Sequence, residues 1–261
     1  MATIVSTPEA SARGDAGADG RFERRDSLHF TLFQDVDLDE YGGFSGSRRF
    51  EREVLRQLEA AYERLDRILG LRPGRKLEVH IWDSAIFDER FAGLFRFPAA
   101  GFYGGSIHVR GGTKVTPGLI RVLHHELVHA AFDAEAPRMS LPAWLNEGIA
   151  EWFEARALGK RDLSFFEREA LARAASDGGL FALSELSAPS FAGFDPNAAA
   201  LAYLESYAFI THLVDTYGER KLVRFWSALL KSRSLERASR SAFGRDFEDL
   251  EQKFRKVLGA V

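Results

Sequence analysis

Arg121-Val122-Leu123-His124-His125-Glu126-Leu127-Val128-His129 is the stretch on which the reading of this chain turns. Pro117 precedes it, and Leu119, Ile120, Val122, Leu123, Leu127, Val128 and Phe132 make it apolar on most sides. That pattern predicts a buried helix. On a helix His125 and His129 stand at i and i+4, about 6 Å apart along the axis and on nearly one face. Two imidazoles so placed can converge on one zinc ion at Zn–N distances of about 2.0–2.1 Å. Glu126 lies about 100° round from His125, which suits it poorly as a ligand and well as a base reaching a metal-held water. Two histidines and a glutamate buried without partners would be costly, and a metal supplies partners. His124 points about 100° away from His125 and reads as a core or supporting histidine.

Outward from this helix, Leu141-Pro142-Ala143-Trp144-Leu145-Asn146-Glu147-Gly148-Ile149-Ala150-Glu151 opens a second helix. Catalytic zinc commonly takes three protein ligands and a water, and two histidines with a glutamate are an established set. Glu147 is the expected third ligand, with Asp133, one turn after His129, as a weaker rival. Glu151 lies one turn beyond Glu147 on the same face. It is expected behind the ligands, accepting an N–H from a ligand histidine, His125 first, and so fixing its tautomer.

HHELVHAAF followed by LPAWLNEGIAEWFE resembles the gluzincin peptidases, and more narrowly the bacterial peptidase-MA-like domains. The resemblance runs from about Ser27 to the C-terminus and is strongest over residues 121–153. It implies a zincin-like fold, a hydrolase acting on peptide bonds through metal-activated water, and Glu126 as general base. It also matches Tyr203-Leu204-Glu205-Ser206 to the family's YxxS helix. That match implies Tyr203 as the donor that steadies the oxyanion, with Tyr207, one turn on, as the alternative. Ala100 through Val109 looks like the strand bordering the family's cleft.

The rest of the sequence bounds these expectations. The 261 residues suffice for one large domain with a sizeable core. Cysteine is absent, so any metal must be held by imidazole and carboxylate. The net charge is −3, with 35 basic and 38 acidic residues scattered in both signs, which argues against a nucleic-acid partner. No apolar run reaches the length of a membrane span or of a signal-peptide core. The sequence as it stands reads as cytoplasmic, and as exported if an N-terminal signal has been trimmed.

Residues 1–25, rich in Ala, Gly, Ser, Asp and Arg, read as a disordered lead. Residues 26–261 read as one α+β domain, strand-rich over 26–116 and helical over 117–261. Strands are expected at 27–33, with Leu28, Phe30 and Leu32 on one face, at 77–82 and at 106–110. Helices are expected at 47–69, 83–91, 118–134, 142–157, 163–175, 197–217, 219–232 and 246–259. The strand at 106–110, flanked by glycines, is expected to stand at a sheet edge and hold an extended peptide.

Three functions fit these features. The first is a zinc-dependent peptidase with one zinc per chain and a peptide or protein substrate. The others are a silent zinc-containing binding module and a metallohydrolase of non-peptide amides. Glu126 favours catalysis, since a purely structural site has no use for it. Oligomeric state is open.

Overall fold

The computed structural model describes residues 10–11, 22–36 and 43–259. The chain divides into two compact units, Met1–Leu65 with Arg72–Ala134, and Asp66–Leu71 with Glu135–Val261. The fold is α+β, a small mixed sheet followed by a mostly helical half.

The first unit is built on a six-stranded sheet. In chain order its elements are β1 (Ala10–Ser11), β2 (Phe22–Asp26), β3 (Phe30–Asp35), α1 (Gly43–Leu69), β4 (Leu77–Trp82), α2 (Ser84–Arg90), β5 (Gly101–Tyr103), β6 (Ile107–Arg110) and α3 (Pro117–Glu135). The strand order is β1-β2-β3-β4-β6-β5; β3, β4 and β6 run parallel, and β5 returns antiparallel along β6. Residues 27–33 were expected as strand; the strand begins instead at Phe30, and Leu28 lies outside it, 77% exposed. The lead expected to be disordered through residue 25 gives way at Phe22, the first residue of β2, whose fully buried ring packs edge-on against His80 and Trp82 of β4. The remainder of that lead, apart from β1, lies outside the described residues.

The two faces of the sheet differ in chemistry. Phe30, Leu32, Val79, Ile81, Ile107 and Val109 share one face by register. On this face α1 packs: Gln34 donates to Ser47 at 2.8 Å, and the Phe30 ring meets Tyr62 edge-on. Helix α1 forms because Phe50, Val54, Leu58, Ala61 and Leu65 recur every three or four residues and are all buried. It stops at Gly70, whose φ of 67° is open to glycine at little cost.

The opposite face is aromatic. Phe33, His80, His108 and Phe102 stack across β3, β4, β6 and β5, with centroids 4.7, 5.0 and 4.9 Å apart in turn. These spacings match the distance between neighbouring strands, so the sheet carries a ladder of four rings. Phe22, Trp82, Phe87 and Phe91 surround it, the last two brought by α2 and the turn after it.

The second unit is helical: α4 (Ala143–Ala157), α5 (Phe165–Ser176), α6 (Pro196–Tyr217), α7 (Glu219–Ser232), α8 (Leu235–Phe243) and α9 (Phe247–Leu258). Its closest packing is between α4 and α6. A Cβ at Gly148 would fall 2.6 Å from the Ser206 carbonyl oxygen and 3.0 Å from Ile210, so only glycine admits this approach. Asp195 caps α6 by accepting from the N–H groups of Asn197 and Ala198, with Pro196 at the first helical position. Helix α8 was not anticipated, because its buried positions are mostly small: Ala238, Ser239 and Ala242, with Phe243.

Candidate metal centre

Helix α3 supplies the first half of the candidate site, within the first unit. Its N-terminus is fixed by Pro117 and by Thr116, whose hydroxyl accepts the Leu119 N–H at 3.2 Å. Leu123, Leu127, Val128, Ala130 and Ala131 are all but fully buried, so the helix is embedded rather than laid on a surface. His125 and His129 are half-buried on it, with ring centroids 4.9 Å apart and planes at 72°. Two imidazoles sharing a tetrahedral zinc stand about 5 Å apart between centroids, so this pair fits the ion. Glu126 is 6% exposed.

Strand β5 passes directly beside that glutamate. A Cβ at Gly101 would meet Val122 at 2.6 Å and the Cγ of Glu126 at 3.4 Å, so the strand presses on α3 only because residue 101 has no side chain. Two residues on, Tyr103 donates its hydroxyl to Asp133 at 2.6 Å, and Arg75 approaches the same oxygen at 3.3 Å. Burial and the Asp133 carboxylate push the Tyr103 phenol up to about 12, so it remains a donor. Asp133, the weaker rival for third ligand, is thus engaged in fastening β5 to the end of α3.

His124, next to the candidate pair in sequence, is buried, and its Nδ1 donates to the Ile120 carbonyl at 2.7 Å, one turn back. The strand at 106–110 does not stand at the edge where it was expected. β6 is paired on both sides, by β4 and β5. The turn at Gly104-Gly105, with Gly105 at φ 99°, folds the preceding residues back as β5, which takes the end position among the described residues. The sequence signal was the glycine pair itself, which marks a hairpin.

The second unit carries the other candidates. Glu147 is 9% exposed on α4, beside Gly148 at the contact with α6. Glu151 is half-buried one turn later, and Glu154, 4% exposed, extends the same stripe by a further turn. Glu154 was not anticipated; three carboxylates at i, i+4 and i+7 on a largely apolar helix are the signal that marks it. Tyr203 is half-buried on α6, its ring edge-on to Phe191 at 5.3 Å. Tyr207 is 4% exposed, with the Lys160 ammonium 4.6 Å above its ring. Its phenol is pushed up, chiefly by burial.

An embedded helix bearing two neighbouring histidines and a buried glutamate, beside the end strand of the described sheet, is an arrangement that can hold a metal ion. The chain matches the peptidase MA superfamily over residues 64–260 and belongs to that superfamily. No curated protein matches it. Superfamily membership makes it a peptidase-type protein with a peptide or protein as the class of substrate. No described helix is long and apolar enough to cross a membrane.

Proposed function

We propose that the chain is a zinc-dependent peptidase of gluzincin type, with one zinc held by His125, His129 and Glu147. The observation that carries this reading is the pair of imidazoles 4.9 Å apart on α3 with Glu126 buried between them in sequence. When bound, zinc supplies Lewis acidity, which lowers the pKa of a water toward 7 and polarises a carbonyl. Glu126 takes the proton of the attacking water and passes it to the leaving amine. Tyr203 donates to the oxyanion, with Tyr207 as the alternative. The half-buried position of Tyr203 supports that order over the more enclosed Tyr207. Glu151 orients His125.

The substrate is held along β5. Arg110 N–H donates to the Ala100 carbonyl, and Gly104 N–H to that of Ser106, so Ala100, Phe102 and Gly104 spend their backbone groups on β6. By alternation the N–H and C=O of Gly101 and Tyr103 turn outward along the sheet's end, where an extended peptide pairs with them. Because a Cβ at Gly101 would reach the Glu126 side chain, a chain bound beside β5 runs close to the general base.

The test is a pair of measurements on the purified protein. Metal analysis should find about one zinc per chain, and peptide hydrolysis should vanish in Glu126→Gln while zinc stays. Retained hydrolysis in Glu126→Gln would refute the assignment of the base. Zinc without hydrolysis of any peptide in the wild type would leave the binding-module or non-peptide readings.

A further inference from the structure

A cleft of about 490 Å³ opens on the face of the sheet opposite α3, and nothing in the reaction outlined above uses it. It is lined by Phe87, Phe91, Phe95, Phe97 and Pro98, with Arg110 at its rim. Arg110 forms a two-pronged bond to Asp88, both contacts 2.9 Å, so these two charges offset each other, and the larger part of the lining is apolar. Phe95 and Phe97 lie 5.6 Å apart and are only half-buried, so their rings remain partly open to the cleft.

Register places this cleft beside β5. Gly101 and Tyr103 face α3: a Cβ at Gly101 would point at Val122 and Glu126, and Tyr103 bonds Asp133. Ala100 and Phe102 therefore face the other way. Phe102 does so visibly, its ring within 4.8 Å of Phe91 and 6.2 Å of Phe95. Ala100 lines the cleft and pairs with Arg110, and its single methyl leaves the space open. A strand added next to β5 puts the residue opposite Ala100 on the same side of the sheet.

We propose that this cleft is a specificity site: it takes a large apolar side chain, aromatic by preference, from the peptide that pairs with β5. The inference rests on the reading of β5 as the strand that holds substrate. It adds that recognition occurs on both faces of the sheet, chemistry on the α3 face and side-chain selection on the α2 face. The ring lining favours a flat partner through edge and face contacts. A charged or small polar side chain would leave these rings in water or bury an unsatisfied group.

The experiment uses a set of blocked peptides on a Thr/Ser background, with one Phe, Leu, Ser or Asp moved through successive positions. Cleavage is measured with the wild-type chain, and binding with Glu126→Gln. At one position Phe should outperform Ser by about 10-fold or more in both assays. Ala100→Trp, which fills an exposed cleft and should leave the fold intact, should bring Phe and Ser within about 2-fold. Phe97→Ala, verified by its melting curve, should weaken the Phe peptide and spare the Ser peptide. Cleavage without any positional preference, or a preference that survives both variants, overturns the proposal and leaves the peptidase reading standing. Selective binding without cleavage supports the cleft while removing the peptidase reading. A chain that neither binds nor cleaves any member refutes both.

Discussion

Two pairs of histidines sit at nearly the same separation in the first unit and have opposite surroundings. His80 and His108 lie 5.0 Å apart with rings 17° from parallel, inside the aromatic ladder of the sheet. His125 and His129 lie 4.9 Å apart at 72°, one turn apart on α3, beside a buried glutamate. Strand pairing forces side chains into parallel stacks at the strand spacing, whereas an i, i+4 pair on a helix is free to converge. The sheet pair behaves as flat core rings. Trp82 donates to Nδ1 of His108, Ser106 meets its Nε2, and neither nitrogen of His80 has a hydrogen-bond partner among the described residues. Burial holds both neutral, His80 at about 4 and His108 at about 3, the latter also opposed by His80 and Arg90. A histidine's letter therefore says little; the carboxylate beside it and the angle to its partner say more.

The largest effect that separates the pairs is loss of metal and activity. His129→Ala should empty the proposed zinc site and lower peptide hydrolysis by about 10³-fold or more, on the scale of losing an essential catalytic group. His80→Phe should keep both zinc and activity, because it replaces one ring of the ladder with another. Metal analysis and hydrolysis assays on the two variants decide this. Normal zinc in His129→Ala, or lost zinc in a folded His80→Phe, would dissolve the distinction.

Next in size is the response to acid. The unfolded chain protonates these histidines near pH 6.5, but the folded chain does so only near pH 4 for His80 and pH 3 for His108. The folded values are depressed, so the associated stability is complete above about pH 6.5 and falls as pH drops toward 3. Each histidine removes about 1.4 kcal/mol per pH unit within its window. Urea midpoints at pH 7.0, 5.5 and 4.5 should fall more steeply for the wild type than for His80→Phe. At pH 7 the variant should be as stable or more so, since no buried ring nitrogen is left unbonded. Parallel pH profiles would show that the sheet histidines are not titrating as core groups.

A smaller effect tests the glycine that brings β5 to α3. Gly101→Ala places a methyl against Val122 and near Glu126. Overpacking of this kind costs about 1–3 kcal/mol, and the strand should shift away from the glutamate. Hydrolysis should fall about 10-fold or more, with zinc retained. A drop in stability alone, with the rate per folded molecule unchanged, would detach β5 from the site.

What the sequence disclosed follows the same contrast. Helix α1, strand β4 and helices α3 to α7 were legible from their periodicity, reinforced by prolines at the starts of α3, α4 and α6 and by glycines after α1 and α6. That Gly101–Tyr103 form a strand of their own, apart from the one expected over 100–109, was missed because three residues followed by two glycines carry no alternation, and their place at the end of the sheet depends on a turn. The edge was therefore assigned to β6, one strand too far in. The ligand-type residues of α3 and α4 stood out because each helix is apolar on most sides, so few of its polar letters have an ordinary place on a solvated face. The ring ladder was invisible, since Phe33, His80, His108 and Phe102 come together only through register. The cleft was invisible for the same reason, being made by a loop folding under a strand.

The smallest effect concerns the histidine that belongs to neither pair. His124 lies inside the decisive motif, yet it is 3% exposed and donates to Ile120 one turn back. That carbonyl is also in position to accept the backbone N–H of His124 in the ordinary helical pattern. Removing the imidazole therefore leaves that carbonyl satisfied, and a buried leucine replaces most of the lost apolar contact. His124→Leu should change stability by about 1 kcal/mol or less, a shift of roughly 2–4 °C in Tm for a chain of this size. Zinc content and hydrolysis should match the wild type. Loss of zinc in this variant would move His124 from the core into the site, and the line between the two uses of histidine would then have to be drawn one residue earlier.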